Sequence, residues 1–179
     1  MRVVFDTNVF VSAFAIPGSL SDEAYRRARA EAVELFTSVA ILTELASTLR
    51  GEFGWEEMPI KDALKSISRV AEVVKTEPHL AVVRDATDNR ILECAELVQA
   101  DLIVTGDIHL LKLRRFGHAG IVRVATFLRI LGGGRQGGEA IQRRSGCWRS
   151  GHRPRRGRPH ARSSSLKRST VRPALRIRA

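Results

Sequence analysis

The sequence of 179 residues has only two cysteines, no long apolar run and one acidic residue after position 134. Cys94 and Cys147 form no CxxC pattern, so we expect no disulfide framework. Because no run of roughly eighteen apolar residues occurs, we expect no membrane-spanning helix. An acid at position 6 interrupts the first apolar run, which argues against a signal peptide. These absences together favour a cytoplasmic protein.

Charge divides the chain into two parts. Residues 1–134 contain 16 Lys and Arg against 18 Asp and Glu, a net charge of −2. Residues 135–179 contain 14 Lys and Arg and one acid, a net charge of +13. The net charge of +11 for the whole chain therefore does not identify the first part as a basic nucleic-acid-binding domain. We expect a folded domain over residues 1–131 and a Gly-rich linker with a basic disordered tail over residues 132–179.

Short apolar runs alternate with helical patterns in the predicted domain. The runs that predict strands are 2–6, 33–38, 102–107 and 121–125. The segments that predict helices are 22–32 with Ser21 as N-cap, 39–49, 88–99 with Thr87 as N-cap, and 109–115, and apolar residues keep helical spacing from Ile60 to Val74. This alternation predicts an α/β fold, a three-layer α/β/α sandwich with a central parallel sheet.

Four carboxylates stand where an apolar run ends or beside a helical stripe. Asp6 and Asp107 each close a predicted strand, and ligand sites in open α/β sheets form beyond the carboxyl ends of the strands. Glu44 lies on the shoulder of the apolar stripe of helix 39–49, and Asp88 begins the next predicted helix but one. Grouping like charges is unfavourable without a cation, and oxygen ligands suit Mg²⁺ or Mn²⁺.

Four short motifs around these acids occur in a familiar order. They are Asp6-Thr7-Asn8, Thr43-Glu44-Leu45, the segment Asp88 to Ala95, and Val104-Thr105-Gly106-Asp107. In order and placement they resemble the motifs of PIN-domain ribonucleases, and the resemblance covers residues 1–131. It is nearest to the VapC-like toxin components of bacterial toxin–antitoxin pairs. The resemblance implies Mg²⁺- or Mn²⁺-dependent cleavage of RNA, frequent homodimers and neutralisation by a small antitoxin protein.

The resemblance and the chemistry of phosphodiester hydrolysis give each acid a role. We expect Asp6 and Asp107 to bind the principal metal ion. Asp88 and Glu44 are expected to complete the site directly or through water, or to hold a second ion. A simpler role stays open for each acid alone, as a solvated or helix-capping carboxylate, and for Asp88 this alternative is strong.

Neighbouring polar residues are expected to support the acids. Thr7 and Asn8 are predicted to fix the Asp6 carboxylate by hydrogen bonds, and Thr105 is predicted to act beside Asp107. An Asx-type turn is the alternative role for the first two. Arg84 and Arg90 bracket Asp88, where they either contact RNA phosphate or, as we favour, pair with local acids.

Other functions remain open at this point. A haloacid-dehalogenase-like phosphatase also uses an acid at a strand end, but it needs a second acid two residues later, where this chain has Asn8. A phospho-receiver domain needs a lysine after its fifth strand, and residues 123–126 contain none. A PIN-like domain that only binds RNA or a protein partner is the non-enzymatic alternative.

The basic segment after residue 134 has three interpretations. It is an extension without selected function, a polycation that raises RNA affinity through phosphate contacts, or a segment whose arginine occupies the acidic crevice.

Overall fold

A computed structural model describes residues 1–133, and the fold is built from short strands and helices that alternate along this range. The strands are β1 (Arg2–Phe5), β2 (Glu34–Ser38), β3 (Ala71–Val74), β4 (Leu102–Val104), β5 (Arg115–Phe116) and β6 (Ala119–Val122). The helices are α1 (Thr7–Ala15), α2 (Leu20–Arg27), α3 (Val39–Gly51), α4 (Glu57–Ser68), α5 (Ala86–Leu97), α6 (Ile108–Leu113) and α7 (Val124–Gly133), with a π-helical turn, Ala28–Ala32, after α2.

The six strands of this range form one sheet in the order β3-β2-β1-β4-β6-β5. All neighbouring pairs are parallel except β5 and β6, which form an antiparallel pair. Helices flank the sheet, so the predicted α/β fold is confirmed, with a sheet that is mostly parallel. The order places β1 beside β4, with Phe5 opposite Val104 in the register. The carboxyl ends of these two strands therefore meet at one edge of the sheet.

The centre of the core is aromatic. The Phe5 ring contacts the Phe10 ring of α1 at 5.6 Å and the Phe127 ring of α7 at 5.4 Å between centroids. All three side chains are fully buried, as are Val3 and Val4 of the same strand. Since the last three residues of β1 are fully buried and lead directly to Asp6, this packing fixes the position at which that acid leaves the sheet.

The helix predicted from Ile60 to Val74 is wrong in its second half. Helix α4 ends at Ser68, and Ala71–Val74 forms strand β3, which pairs in parallel with β2. A four-residue run with two valines fits both the helical and the strand period, so spacing alone does not separate them. Pairing with β2 decides between the two, because it gives these residues a partner strand on one side.

Both predicted N-caps are two residues too late. The Ser19 hydroxyl, rather than that of Ser21, accepts the Asp22 backbone N–H at the start of α2. The Asp85 carboxylate, rather than the Thr87 hydroxyl, accepts at the start of α5. Each helix has two polar residues suited to capping, and in both the earlier one adopts the extended backbone that a cap requires.

The chain after β4 also differs from the prediction. The helix expected over 109–115 is α6, which ends at Leu113 and is followed by the hairpin of β5 and β6. Gly117 has a φ of +57° in the turn of this hairpin, a conformation that glycine adopts without strain. The strand expected over 121–125 ends at Val122, and α7 already begins at Val124.

The last helix ends at Gly133, which is also the last described residue. It therefore includes Gly132 and Gly133, the first two residues of the predicted linker. The rest of the predicted linker and the predicted basic tail lie outside the described residues, so the domain boundary stays a prediction. Within residues 1–133, no helix is both long enough and apolar enough to cross a bilayer.

Candidate functional site

Asp6 is a buried acid held at the end of β1. It is 2% exposed and forms the N-cap of α1, where its Oδ1 accepts the Asn8 backbone N–H at 3.2 Å. The Asp6 backbone N–H donates to the Val104 carbonyl at 2.9 Å, which ties it to the end of β4. The start of α1 thus holds the carboxylate of Asp6, and the neighbouring strand holds its backbone.

Thr105 connects Asp6 to the segment that carries Asp107. Its fully buried hydroxyl donates to Asp6 Oδ2 at 2.5 Å and accepts the Asp107 backbone N–H at 2.8 Å. One hydroxyl group therefore joins the residue that follows β1 to the segment that follows β4. Thr105 was predicted to act beside Asp107, and its hydroxyl bonds the Asp6 carboxylate as well as the Asp107 backbone; its role at a metal site stays a prediction.

Asp107 forms the N-cap of α6. Its Oδ1 accepts the backbone N–H groups of His109 at 2.6 Å and Leu110 at 3.1 Å. Its other oxygen accepts no hydrogen bond from the described residues. The capping bonds therefore hold the side chain by one oxygen and leave the other available to a ligand.

Glu44 is held by a contact that the sequence did not predict. The Thr7 hydroxyl donates to Glu44 Oε2 at 2.7 Å, which joins the start of α1 to α3. The Thr7 hydroxyl therefore bonds the carboxylate of Glu44 and not that of Asp6, contrary to the expectation. Asn8 does bond Asp6, but through its backbone N–H, which is the Asx-type geometry weighed as the alternative.

Asp88 completes the group as the third residue of α5. Its half-buried carboxylate accepts no hydrogen bond from the described residues. Its pKa is raised from the ordinary value to about 6, first by burial and then by the charges of Asp107, Asp6, Asp85 and Glu44, in that order. The charges of the other predicted acids therefore act on Asp88. Asp85 belongs to the same charge environment, but its carboxylate is occupied as the cap of α5.

The pKa of Asp6 supports the same grouping. Burial raises this pKa, the hydrogen bonds from Thr105 and Asn8 lower it, and the charges of Glu44 and Asp107 raise it again. Like charges brought together in this way favour either protonation or a bound cation. We call Asp6, Glu44, Asp88 and Asp107 the acid cluster.

The acid cluster fits a divalent cation by its donors, although it is not a finished coordination sphere. In residues 1–133, no three acidic, histidine or cysteine side chains already surround one point as metal ligands. The donors are carboxylate oxygens, which suit Mg²⁺ or Mn²⁺. Within this range Asp88 and one oxygen of Asp107 accept no hydrogen bond, so these oxygens are available as ligands.

The family model for the PIN domain matches residues 2–109 of the chain. The chain belongs to the PIN-domain family. Proteins of this family are typically nucleases, and the nucleases among them generally use divalent metal ions. The recognition of a PIN domain from four short motifs is therefore confirmed.

One relative in sequence and one solved structure extend the comparison. An uncharacterized protein of Methanocaldococcus jannaschii is 34% identical over 123 residues, which cover 64% of this chain and 76% of the relative. A chain from the crystal structure of VapBC2 from Rickettsia felis, bound to a DNA fragment from their promoter, has a TM-score of 0.50 at 17% identity. That match covers 69% of this chain and 98% of the other, and it shows a shared fold.

Of the two arginines that bracket Asp88 in the sequence, one forms an ion pair with a described residue and the other does not. Arg90 Nη1 lies 3.1 Å from Glu93 Oε2, so pairing with a local acid, the favoured interpretation, describes this arginine. Arg84 forms no ion pair with any described residue, so that interpretation does not describe it.

Sequence reasoning missed Glu93 and Asn89, which are polar but almost fully buried in α5. Their spacing of four residues along an apolar helix was the available signal.

The raised pKa of Asp88 predicts a pH dependence of the stability of the metal-free PIN domain. The folded state holds the Asp88 proton more tightly than the unfolded state. The contribution of Asp88 to the free energy of unfolding therefore falls as pH rises from about 4 to about 6. We expect Asp88→Asn to gain stability relative to the wild type over that window and to keep a constant difference above it. Urea unfolding in EDTA at several pH values measures this, and a difference that does not change with pH would contradict the assigned shift.

Proposed function

We propose that this PIN domain is a metal-dependent endoribonuclease that hydrolyses RNA phosphodiester bonds with Mg²⁺ or Mn²⁺. The observation that carries the proposal is the acid cluster, which hydrogen bonds from Thr105 and Thr7 help to hold. Within it the charges of Glu44 and Asp107 raise the pKa of Asp6 and, together with that of Asp6, the pKa of Asp88. The family supports it, since PIN-domain proteins are typically nucleases.

The residues of this chain would contribute by holding oxygens in place. Thr105 orients Asp6, the start of α6 orients Asp107, and Thr7 orients Glu44. Asp6, Glu44, Asp88 and Asp107 are the residues that would hold the ion. The chemistry that a divalent ion would supply there is a lowered pKa of bound water and compensation of the charge on the phosphate. These hydrogen bonds would keep the carboxylate oxygens oriented toward the ion, as hydrogen-bonding groups around metal ligands do.

We also propose that the protein is the toxin of a toxin–antitoxin pair, neutralised by a small antitoxin protein and able to form a homodimer. The motif resemblance to VapC-like toxins and the shared fold with the VapBC2 structure support this. The non-catalytic alternative, a PIN domain that only binds RNA or a partner, is favoured by one observation, the lack of three preassembled metal ligands in residues 1–133.

One experiment separates these functions. The full chain is incubated with single-stranded RNA and, in parallel, with p-nitrophenyl phosphate, each with Mn²⁺, with Mg²⁺ or with EDTA. We expect RNA fragments only with a divalent ion and no release of nitrophenol. RNA binding without cleavage under every metal condition would support the non-catalytic alternative, whereas nitrophenol release alone would support the phosphatase alternative.

The bridging hydroxyl of Thr105 gives a further prediction. Thr105→Val should lower kcat for RNA cleavage by about 10- to 100-fold with a small change in KM, because Asp6 loses the hydroxyl that orients it. Thr37→Val is the matched control, since the Thr37 hydroxyl is equally buried but has no hydrogen-bond partner among the described residues. Steady-state kinetics with Mn²⁺ measure both variants. Equal activity of the two would show that Thr105 does not position the acids.

A further inference from the structure

The segment that precedes α5 is fixed by one amide side chain. Asn89 is 4% exposed, and its Oδ1 accepts the backbone N–H groups of Val82 at 2.8 Å and Val83 at 3.1 Å. Its Nδ2 donates to the carbonyls of Val83 at 2.8 Å and Asp85 at 2.7 Å. All the hydrogen-bonding capacity of the amide is thereby used on residues 82–85.

A second buried side chain, one turn further along α5, holds the residues just before. Glu93 is 1% exposed, and its Oε1 accepts the backbone N–H groups of His79 at 2.7 Å and Leu80 at 2.9 Å. The segment from residue 79 to residue 85 has no regular secondary structure, yet its backbone is bonded to α5 at both ends. Its conformation is therefore set before any ligand binds.

The fixed segment forms one wall of a cleft beside the acid cluster. This cleft has a volume of about 620 Å³ and is lined by Val83, Arg84, Asp85, Ala86, Asp88 and His109. Asp85 is occupied as the cap of α5, and Asp88 belongs to the acid cluster. Arg84 is exposed and forms no ion pair with a described residue, so its guanidinium is free to bind an anion at this place.

We propose that this cleft binds the RNA phosphate next to the one that is cleaved, with Arg84 as the contacting cation and Asn89 as the residue that positions it. The inference rests on the proposed function, because the acid cluster defines which phosphate is cleaved. A guanidinium forms strong paired hydrogen bonds to phosphate oxygens. A cation in the adjoining cleft also offsets the repulsion between a polyanion and the acid cluster. The contact does not depend on the base, so it places the strand without selecting a sequence.

Binding of a five-nucleotide single-stranded RNA tests this in the full chain. The chain carries Asp6→Asn throughout, so that the RNA stays intact, and fluorescence anisotropy is measured at several salt concentrations. Arg84→Gln should weaken binding about fivefold and flatten the dependence of log K on log salt by about 0.7. Arg69→Gln removes the same charge at the opposite end of the sheet, just before β3, and should change neither quantity.

The outcomes separate the inference from the proposed function. Equal effects of Arg84→Gln and Arg69→Gln, or no effect of either, would overturn the Arg84 contact even if the wild type cleaves RNA. An effect confined to Arg84→Gln would support the contact even if the wild type proves inactive, in which case only the proposed function fails.

The role of Asn89 is tested by a double-mutant comparison. Asn89→Ala keeps the charge of the chain but releases residues 82–85, so it should weaken binding and flatten the salt dependence as Arg84→Gln does. Adding Arg84→Gln to Asn89→Ala should then have little further effect. A purely structural role would lower the melting temperature but leave the salt dependence unchanged, and additive losses in binding would overturn the positioning role.

Discussion

The Asp6→Asn variant is expected to cleave RNA at least about 100-fold more slowly than the wild type, a larger loss than outer residues of metal sites usually cause. The substitution removes one negative charge from the acid cluster while keeping the shape of the side chain. The new amide can also keep both hydrogen bonds of the side chain. Its oxygen can accept the Asn8 backbone N–H, and its NH₂ group can donate to the Thr105 hydroxyl, which is able to accept. The loss would therefore reflect the missing charge.

The variant should fold at least as well as the wild type in the absence of metal. Burial raises the Asp6 pKa, so the ionised side chain is unfavourable in the folded state at neutral pH, and a neutral amide removes that cost. Asp62→Asn, on the exposed surface of α4, is the matched control and should leave both cleavage and stability unchanged. Comparable cleavage by Asp6→Asn and wild type at saturating Mn²⁺ would remove Asp6 from the site.

Divalent ions are expected to raise the melting temperature of the wild type by roughly 5–11 °C when present at about 100 times their dissociation constant. An ion that binds only the folded state adds about 2.7 kcal/mol at that concentration, and each kcal/mol shifts the melting of a chain this size by about 2–4 °C. The acid cluster supplies the site, because its like charges oppose one another until a cation is bound.

Asp6→Asn should lose most of this shift, and Asp62→Asn should keep it. Thermal unfolding followed by circular dichroism, with and without Mn²⁺, measures all three proteins. A shift of equal size in wild type and Asp6→Asn would indicate that the ion binds elsewhere. Melting that does not respond to Mn²⁺ or Mg²⁺ in any of them would argue against a metal site.

The acids were predictable because each has a position that the sequence pattern defines. Asp6 follows a continuously apolar strand, and Asp107 follows another, so the parallel sheet that the pattern predicts also brings them together. Asp88 and Glu44 were identified through the order of the motifs rather than through periodicity. The structure adds that the charges of Asp6, Glu44 and Asp107 raise the pKa of Asp88, which spacing along the chain does not reveal.

The supporting contacts were less predictable, because they join residues that are distant in the sequence. From the sequence, the Thr7 hydroxyl was expected to bond the neighbouring Asp6 carboxylate. It bonds Glu44 instead because α1 packs against α3. Likewise, the segment 71–74 fits both the helical and the strand period, and only pairing with β2 decides for the strand. Asn89 is polar in an otherwise apolar helix, but its partners lie in a segment without any pattern of its own.

The most direct test of the account is the reversibility of RNA cleavage on removal and return of the metal ion. The full chain is treated with EDTA, dialysed and then supplied with Mn²⁺, and cleavage of single-stranded RNA is followed at each stage for wild type, Asp6→Asn and Asp62→Asn. The acid cluster predicts that cleavage disappears in EDTA and returns with Mn²⁺ in the wild type and in Asp62→Asn, but not in Asp6→Asn. Cleavage that persists in EDTA, or that returns equally in Asp6→Asn, would contradict the account.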